Sequence, residues 1–278
     1  MPEPEPHTRT NLPEQLSGLP EQPVVELGVG RPWLTLSEVN RVIRVQGVAR
    51  ALAKAWVIDE LARAIPLTPE RERELERNWL AQQGITREDE IQPWLLRQRL
   101  QLADVRQMAT QVERLDRFRR YNWGQEVEVH FLHRKPELDQ AVYSLLRVSD
   151  STLAAELYQR IAEDEASFAA LANTHSEGQE RLSQGIIGPL PIPAAHPEIA
   201  SRLRVGRPGQ IWPPFQADRF WVIIRLEQQL PARLDTVTYD RMMAELFEKW
   251  VEDRLNLLFQ DQPLPALPPL PEATEELS

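Results

Sequence analysis

Between residues 35 and 134 apolar positions recur at threes and fours, the spacing of one helix face. Thr35-Leu-Ser-Glu38 has the form of a capping box, and Val45, Val48, Leu52, Ala55 and Trp56 continue the helical spacing beyond it. Gly47 predicts a bend there, because glycine is costly in a helix interior. Thr68-Pro-Glu70 starts a second helix with a cap, a proline in the first turn and an acid at the positive end. Leu75 and Trp79 form its buried face and Gly84 ends it. Thr86 caps the next. Ile91, Leu95, Leu102, Val105, Met108, Val112 and Leu115 extend that pattern as one long helix or two in series, with Pro93 confined to the first turn. A short helix over Gln125 to Arg134 follows.

At Gln140 the period drops to two. Val142, Ser144, Leu146 and Val148 share one strand face, and Tyr143, Leu145 and Arg147 share the other. Asp150 caps a helix with Leu153, Leu157 and Ile161 as its stripe, and Ser167–Ala172 forms a shorter one. An extended Gly185–Leu190 segment, a helix opened by Pro197, extended Gln210–Pro213 and a final strand from Phe220 complete the order β-α-α-β-α-β-β. In the final strand Phe220, Val222, Ile224 and Leu226 face one way; Trp221, Ile223 and Arg225 face the other. The glycines at 185 and 188 serve close backbone approach; the spacing lacks the Lys-Ser/Thr of a phosphate-binding loop.

A helical pattern returns from Thr236 or Thr238 to about Phe259. Its stripe of Tyr239, Met243, Leu246, Trp250 and Leu257 is widened by Met242, Phe247, Val251 and Leu258, so it needs a second surface to cover it. The fold class is α+β: a helical N-terminal lobe with a returning C-terminal helix, plus a domain of a small four-stranded sheet and three to four helices. The expected segments are a flexible Pro-rich leader (1–34), a helical lobe (35–136), the sheet domain (137–235), the C-terminal helix packing on the lobe (236–260) and a Pro-rich tail (261–278). The tail, Pro263-Leu-Pro-Ala-Leu-Pro-Pro-Leu-Pro271, favours extended polyproline II and is expected to be a flexible end or linker rather than a dedicated ligand.

Charge and composition narrow the function classes. The net charge of -10 disfavours phosphate-backbone binding, so no nucleic-acid partner is expected. There is no cysteine, which removes disulfides, thiol nucleophiles and thiolate metal sites. His130 and His133 lie three apart without an evident third ligand, so no metal is expected, and no cofactor motif is present. No run of about 20 apolar residues suits a membrane span, so no membrane insertion is expected. No basic-then-apolar leader opens the sequence, and a cytoplasmic location is the expectation.

The stretch Leu153-Ala-Ala-Glu-Leu-Tyr-Gln-Arg-Ile161, followed by Ser167-Phe-Ala-Ala-Leu-Ala172 and Ser176, resembles the parvulin (PpiC, rotamase) domain. Gly185, Gly188, Pro197-Glu-Ile-Ala200, Gly209-Gln210 and Ile223-Ile-Arg-Leu-Glu227 continue the likeness in the same order, over about a third of the chain. A helical lobe before such a domain and a returning helix after it resemble the SurA-type chaperones. The resemblance implies peptidyl-prolyl cis/trans isomerase chemistry with no cofactor. It also implies that the C-terminal helix packs back on the N-terminal helices, a partner-protein interface being the alternative.

The departures from that family fall at its functional positions. Ser144 stands where an active relative carries a histidine in a His-Ile-Leu motif, and Val222 stands where the second histidine precedes an Ile-Ile pair. The two positions are expected to neighbour each other across the sheet. Ala195 and Ile199 stand where a Met and a Phe line the proline pocket. His175 and His196 lie off the family positions; His196 is suited to cap the Pro197 helix. Leu190, Trp212, Phe215, Phe220 and Trp221 are the candidates for gripping a peptide. The expectation is a polypeptide-binding chaperone or assembly factor, weak or inactive as an isomerase, with unfolded or extended, Pro-containing chains as partners. The alternatives are an active isomerase, and a scaffold in a secretion or maturation complex joined through the apolar C-terminal helix.

Overall fold

Helix boundaries follow local chemistry. In the computed structural model, which describes residues 25–26 and 32–273, a short pair of strands, β1 (Val25–Glu26) and β2 (Pro32–Leu34), precedes α1 (Leu36–Val45). The expected leader lies almost wholly outside the described residues. Thr35 and Glu38 close the capping box reciprocally: Glu38 N donates to Thr35 Oγ1 at 3.2 Å and Thr35 N donates to Glu38 Oε2 at 2.9 Å. Gly47 does more than bend the helix. It takes a positive φ of 67°, ends α1, and α2 (Ala49–Ala64) starts afresh. Thr68 caps α3 (Pro69–Gln82) as its sequence dictates. The following helical stretch has its N-cap at Arg87, one residue later than Thr86, with the Glu90 carboxylate reaching back to the Thr86 and Arg87 amides. It is two helices, α4 (Glu88–Gln98) and α5 (Leu102–Trp123), parted where Arg99 adopts a φ of 59°. Pro93 sits inside α4 rather than in its first turn.

The remaining elements are α6 (Val127–Leu138), β3 (Gln140–Val148), α7 (Ser151–Ala162), α8 (Phe168–His175), β4 (Ile186–Pro191), α9 (Pro197–Val205), β5 (Ile211–Ala217), β6 (Phe220–Leu230) and α10 (Thr236–Phe259). This is the expected order of strands and helices. The described residues fall into two compact units, one running to Asn122 and resuming at Phe247, the other Trp123–Leu246. The sheet unit is larger than the expected 137–235. It takes in α6 and the first half of α10 because Val127 and Phe131 bury themselves against Met242 and Met243.

In the helical unit, Leu80, Trp94, Leu95 and Val105 form one core, with Trp79 edge-on to Trp94 at 5.9 Å. The second half of α10 lies against α2 through Arg50–Glu252 and Lys54–Glu248 ion pairs, and its Trp250 packs on Phe118 of α5. A buried arginine fastens three helices. Arg114 on α5 donates to the Thr110 hydroxyl, to the carbonyls of Ala62 and Ile65 at the end of α2, and to Glu72 of α3. The Ala62 carbonyl also accepts the Ile65 amide at 3.3 Å, whereas the Ile65 carbonyl lies past the last turn of the helix. The Pro-rich tail is not free either: it has no regular structure, yet Pro271 is buried.

The sheet unit is built on a four-stranded antiparallel sheet in the order β4-β3-β6-β5. One face carries α7 and α8 on Leu146, Val148 and Ile223. The other carries α9 on Tyr143, Leu145, Val222, Ile224 and Leu226. Both edge strands contain prolines, Pro189 and Pro191 in β4 and Pro213 and Pro214 in β5. Proline offers no N–H to an added strand, so neither edge is the open one that strand-on-strand capture of a client requires.

Arg114→Ala should leave the Ile65 carbonyl and Glu72 without their donor and lower the stability of the helical unit by about 3 kcal/mol. Urea unfolding followed by far-UV circular dichroism measures this. A change below about 0.5 kcal/mol, the level of an ordinary surface substitution, would show that Arg114 is not the clasp.

Candidate peptide-binding face of the sheet domain

The site is defined by which side chains share a face. In β3–β6 pairing, Ser144 lies opposite Arg225, Leu145 opposite Ile224, and Arg147 opposite Val222. Directly paired residues point to the same side of a sheet and successive residues alternate. Ser144 and Val222 therefore project from opposite faces, and the expected neighbourhood of these two positions is not formed. Ser144, 1% exposed, donates its hydroxyl to Glu227, which Arg225 also holds at 2.8 Å. Val222, 3% exposed, is sealed in the core beneath α9.

The Val222 face gathers most of the other expected residues. Ile199 and Phe215 are buried in its core; Ala195, Trp212 and Phe220 are half-buried against it. Trp221 is on the other side, packed beside α7 and α8, and so is not part of this face. Leu190 is 45% exposed on the edge strand β4. The core on this face is thus largely aliphatic, and its Phe215 ring is covered: the Arg202 guanidinium lies 3.7 Å from the centre of that ring and is held by Glu198 at 2.8 Å. Trp212 stands hard against Gly206, where an added Cβ would collide with the indole.

His196 caps α9, its Nδ1 accepting the Glu198 amide at 3.3 Å, while its Nε2 is 3.4 Å from Asp218. His175 is half-buried at the end of α8. His130 on α6 meets Glu245 of α10 at 3.1 Å, and no group of metal-binding side chains is found among the described residues.

One polar cluster on this side of the sheet has no counterpart in the sequence pattern. Arg147, directly across from Val222, donates Nε and Nη2 to the two oxygens of Glu180 at 2.9 and 2.6 Å. The Ser176 hydroxyl donates to the same carboxylate and accepts the Arg147 amide. Glu180 sits in a 3-10 turn after α8, thirty-three residues from its partner, and nothing in the local pattern marks it. Burial alone would raise the Glu180 carboxyl, but the Arg147 and Ser176 hydrogen bonds outweigh it and hold the group below the ordinary carboxylate value. Burial raises the nearby Tyr143 hydroxyl, with Arg147 and Glu180 acting on it in opposite senses.

Because its carboxyl is depressed in the fold, Glu180 contributes stability that is complete above its unfolded value and is lost as pH falls through the folded one. Glu180→Gln should cost about 2 kcal/mol near neutral pH, at the low end for a buried pair because Arg147 is partly open to solvent. The gap between parent and variant should be constant above about pH 5 and shrink on acidification. Denaturant titrations across that range measure it, and a gap independent of pH would contradict the assignment.

Residues 136–228 match the family model described as the rotamase, PPIC-type PPIase domain. Among solved structures the chain is similar to the peptidylprolyl isomerase PrsA of Bacillus cereus, at 14% identity and TM-score 0.42 over 84% of this chain and 90% of that one. PrsA of Bacillus anthracis shares 18% identity at TM-score 0.36, over 78% and 100%. One of two structurally related SurA-like chaperones of Campylobacter jejuni shares 12% at 0.34, over 86% and 98%. At these scores the structural likenesses carry no functional argument. No curated protein matches the sequence. The family match spans α6's last turn to β6 and coincides with the antiparallel sheet and its flanking helices, so residues 136–228 are a parvulin-type rotamase domain.

Proposed function

We propose that the chain is a polypeptide-binding chaperone or assembly factor whose parvulin-type domain isomerises prolyl bonds weakly or not at all. The observation that carries this is Val222, buried among aliphatic side chains on the pocket face, with Ser144 turned to the opposite face and committed to Glu227. Prolyl isomerisation needs no nucleophile, only a site that prefers the twisted amide over the planar one, whose barrier is about 20 kcal/mol. Each factor of ten in rate asks for about 1.4 kcal/mol of that preference. Val222, Ile199, Ile224 and Phe215 are buried in the core of this face, and no pair of histidines stands among them to hold a substrate amide in register.

Client holding asks for less. In the helical unit Leu52, Trp56 and Phe259, each about half exposed, line a groove of about 530 Å³ with Ile43, Ala49, Ala53 and Leu258. Contiguous exposed apolar surface of this kind suits extended apolar segments. With both sheet edges interrupted by proline, clients are gripped through side chains rather than by strand addition.

The second reading, an active isomerase, is favoured by the family match and by the Tyr143, Arg147 and Glu180 cluster on the Val222 side of the sheet. Exchange NMR on Ala-Pro and Glu-Pro peptides separates the two. The proposal expects exchange rates within about twofold of the uncatalysed reaction, a difference below about 0.5 kcal/mol in barrier, together with localised shifts from an unfolded client. Catalysis comparable to an ordinary parvulin would establish the second reading, and absence of both signals would leave the scaffold role. A Ser144→His, Val222→His double variant should gain nothing, since its two rings project from opposite faces. Restored catalysis in that variant would contradict the assignment of the two positions to opposite faces.

A further inference from the structure

The tail from Pro263 onward is fastened to the helical unit by its backbone carbonyls. Arg254 Nη2 of α10 donates to Pro265 O at 2.8 Å, and Asn122 Nδ2 of α5 donates to Pro269 O at 3.1 Å. Arg117 Nη2 of α5 donates to Glu272 O at 2.6 Å and Ala273 O at 3.4 Å. Arg254 is a buried group, 7% exposed, with its guanidinium 4.9 Å from the centre of the Trp250 ring, and desolvation lowers its affinity for the proton. A charge held in such a place needs an acceptor, and the tail supplies one.

Burial along the segment deepens toward Pro271. Leu264, Pro268 and Leu270 are half-buried and Pro271 is buried, while Pro265, Ala266, Leu267, Pro269 and Glu272 are exposed. In a polyproline II helix, with three residues per turn, 264, 267 and 270 make one edge, 265, 268 and 271 a second, and 266, 269 and 272 the third. The third edge is the open one, and the buried positions all belong to the other two. Prolines at 263, 265, 268, 269 and 271 preset the backbone, so little entropy is lost on docking. A proline-rich segment lies in a groove in this way, with apolar side chains inward and carbonyls accepting from side chains of the groove.

We propose that the surface of α5 and α10 carrying Arg117, Asn122 and Arg254 is a binding site for proline-rich extended segments. The chain's own tail is its resident occupant, and a like segment of another polypeptide displaces it. The contacts point to exchange because these hydrogen bonds fall on backbone carbonyls, which any peptide supplies; selectivity rests on the spacing of the prolines. The tail follows the end of α10 after only a short turn, so it competes from an effective concentration on the order of millimolar. The proposal does not depend on the reading of the rotamase domain.

The test uses the full chain and a full-chain variant with a weakened tail, Pro268→Gly with Pro271→Gly. The probe is a fluorescein-labelled peptide with the sequence of residues 262–273, followed by anisotropy. The peptide should bind the tail-weakened chain at least tenfold more tightly than the parent. Adding Asn122→Ala should weaken that binding several-fold, and a peptide with glycine at both altered positions should fail to bind. Equal affinity for parent and variant, no binding to either, or equal binding of a scrambled peptide would overturn the proposal. So would loss of the helical signal in the tail-weakened chain, which would mark the tail as a structural staple.

Discussion

The antiparallel register of β3 against β6 is the constraint from which the rest of the sheet domain follows. Past the irregularity between Val142 and Tyr143 it pairs even-numbered residues of one strand with odd-numbered residues of the other, and so assigns the side chains of Tyr143–Val148 and Trp221–Leu226 to faces. Tyr143, Leu145 and Arg147 join Val222, Ile224 and Leu226 beneath α9, while Ser144, Leu146 and Val148 join Ile223 beneath α7 and α8. A slip of one residue would carry Ser144 to the pocket and expel Leu145 from it. The cost of exposing the apolar residues of one strand, at about 1.5–3 kcal/mol for each large side chain, makes that slip inaccessible in the native state.

Buried charges do the complementary work of fixing elements that apolar contact leaves free to slide. Arg114 ties the end of α2, the start of α3 and the middle of α5, and Arg147 with Glu180 ties the turn after α8 to the central strand. Such pairs contribute little net stability against an apolar replacement, but losing one partner is expensive, so they act chiefly on position. Arg202 lies over Phe215 and covers the face of that ring. The apolar groove between α2 and the end of α10 remains open.

Much of the fold is legible in the sequence, for reasons of range. Capping at Thr35 and Thr68 depends on residues three apart, and strand alternation depends on residues two apart, so both can be read directly. The order of strands and helices follows from the change of period. What is not legible requires partners far along the chain. Alternation separates each strand's two faces, but register alone says that Ser144 meets Arg225 and not Val222. Trp221 and Phe220 both stand among the candidates for one cleft, although the alternation legible in the sequence already sets them on opposite faces, as the structure does. The Arg147–Glu180 pair and the docking of the tail leave no local signature. The tail's composition specifies its conformation but not the arginines and asparagine that receive it.

The face assignment is open to a direct measurement. The Val222 methyl groups, labelled with carbon-13, should show nuclear Overhauser contacts to side chains of the α9 face, Ile224 and Phe215 among them. Ser144 should show contacts to the α7 and α8 face, including Phe168, and none to Val222. Contacts between the Ser144 and Val222 side chains would place both positions on one face. They would restore the missing pocket pair as neighbours and contradict the division of the two positions between opposite faces.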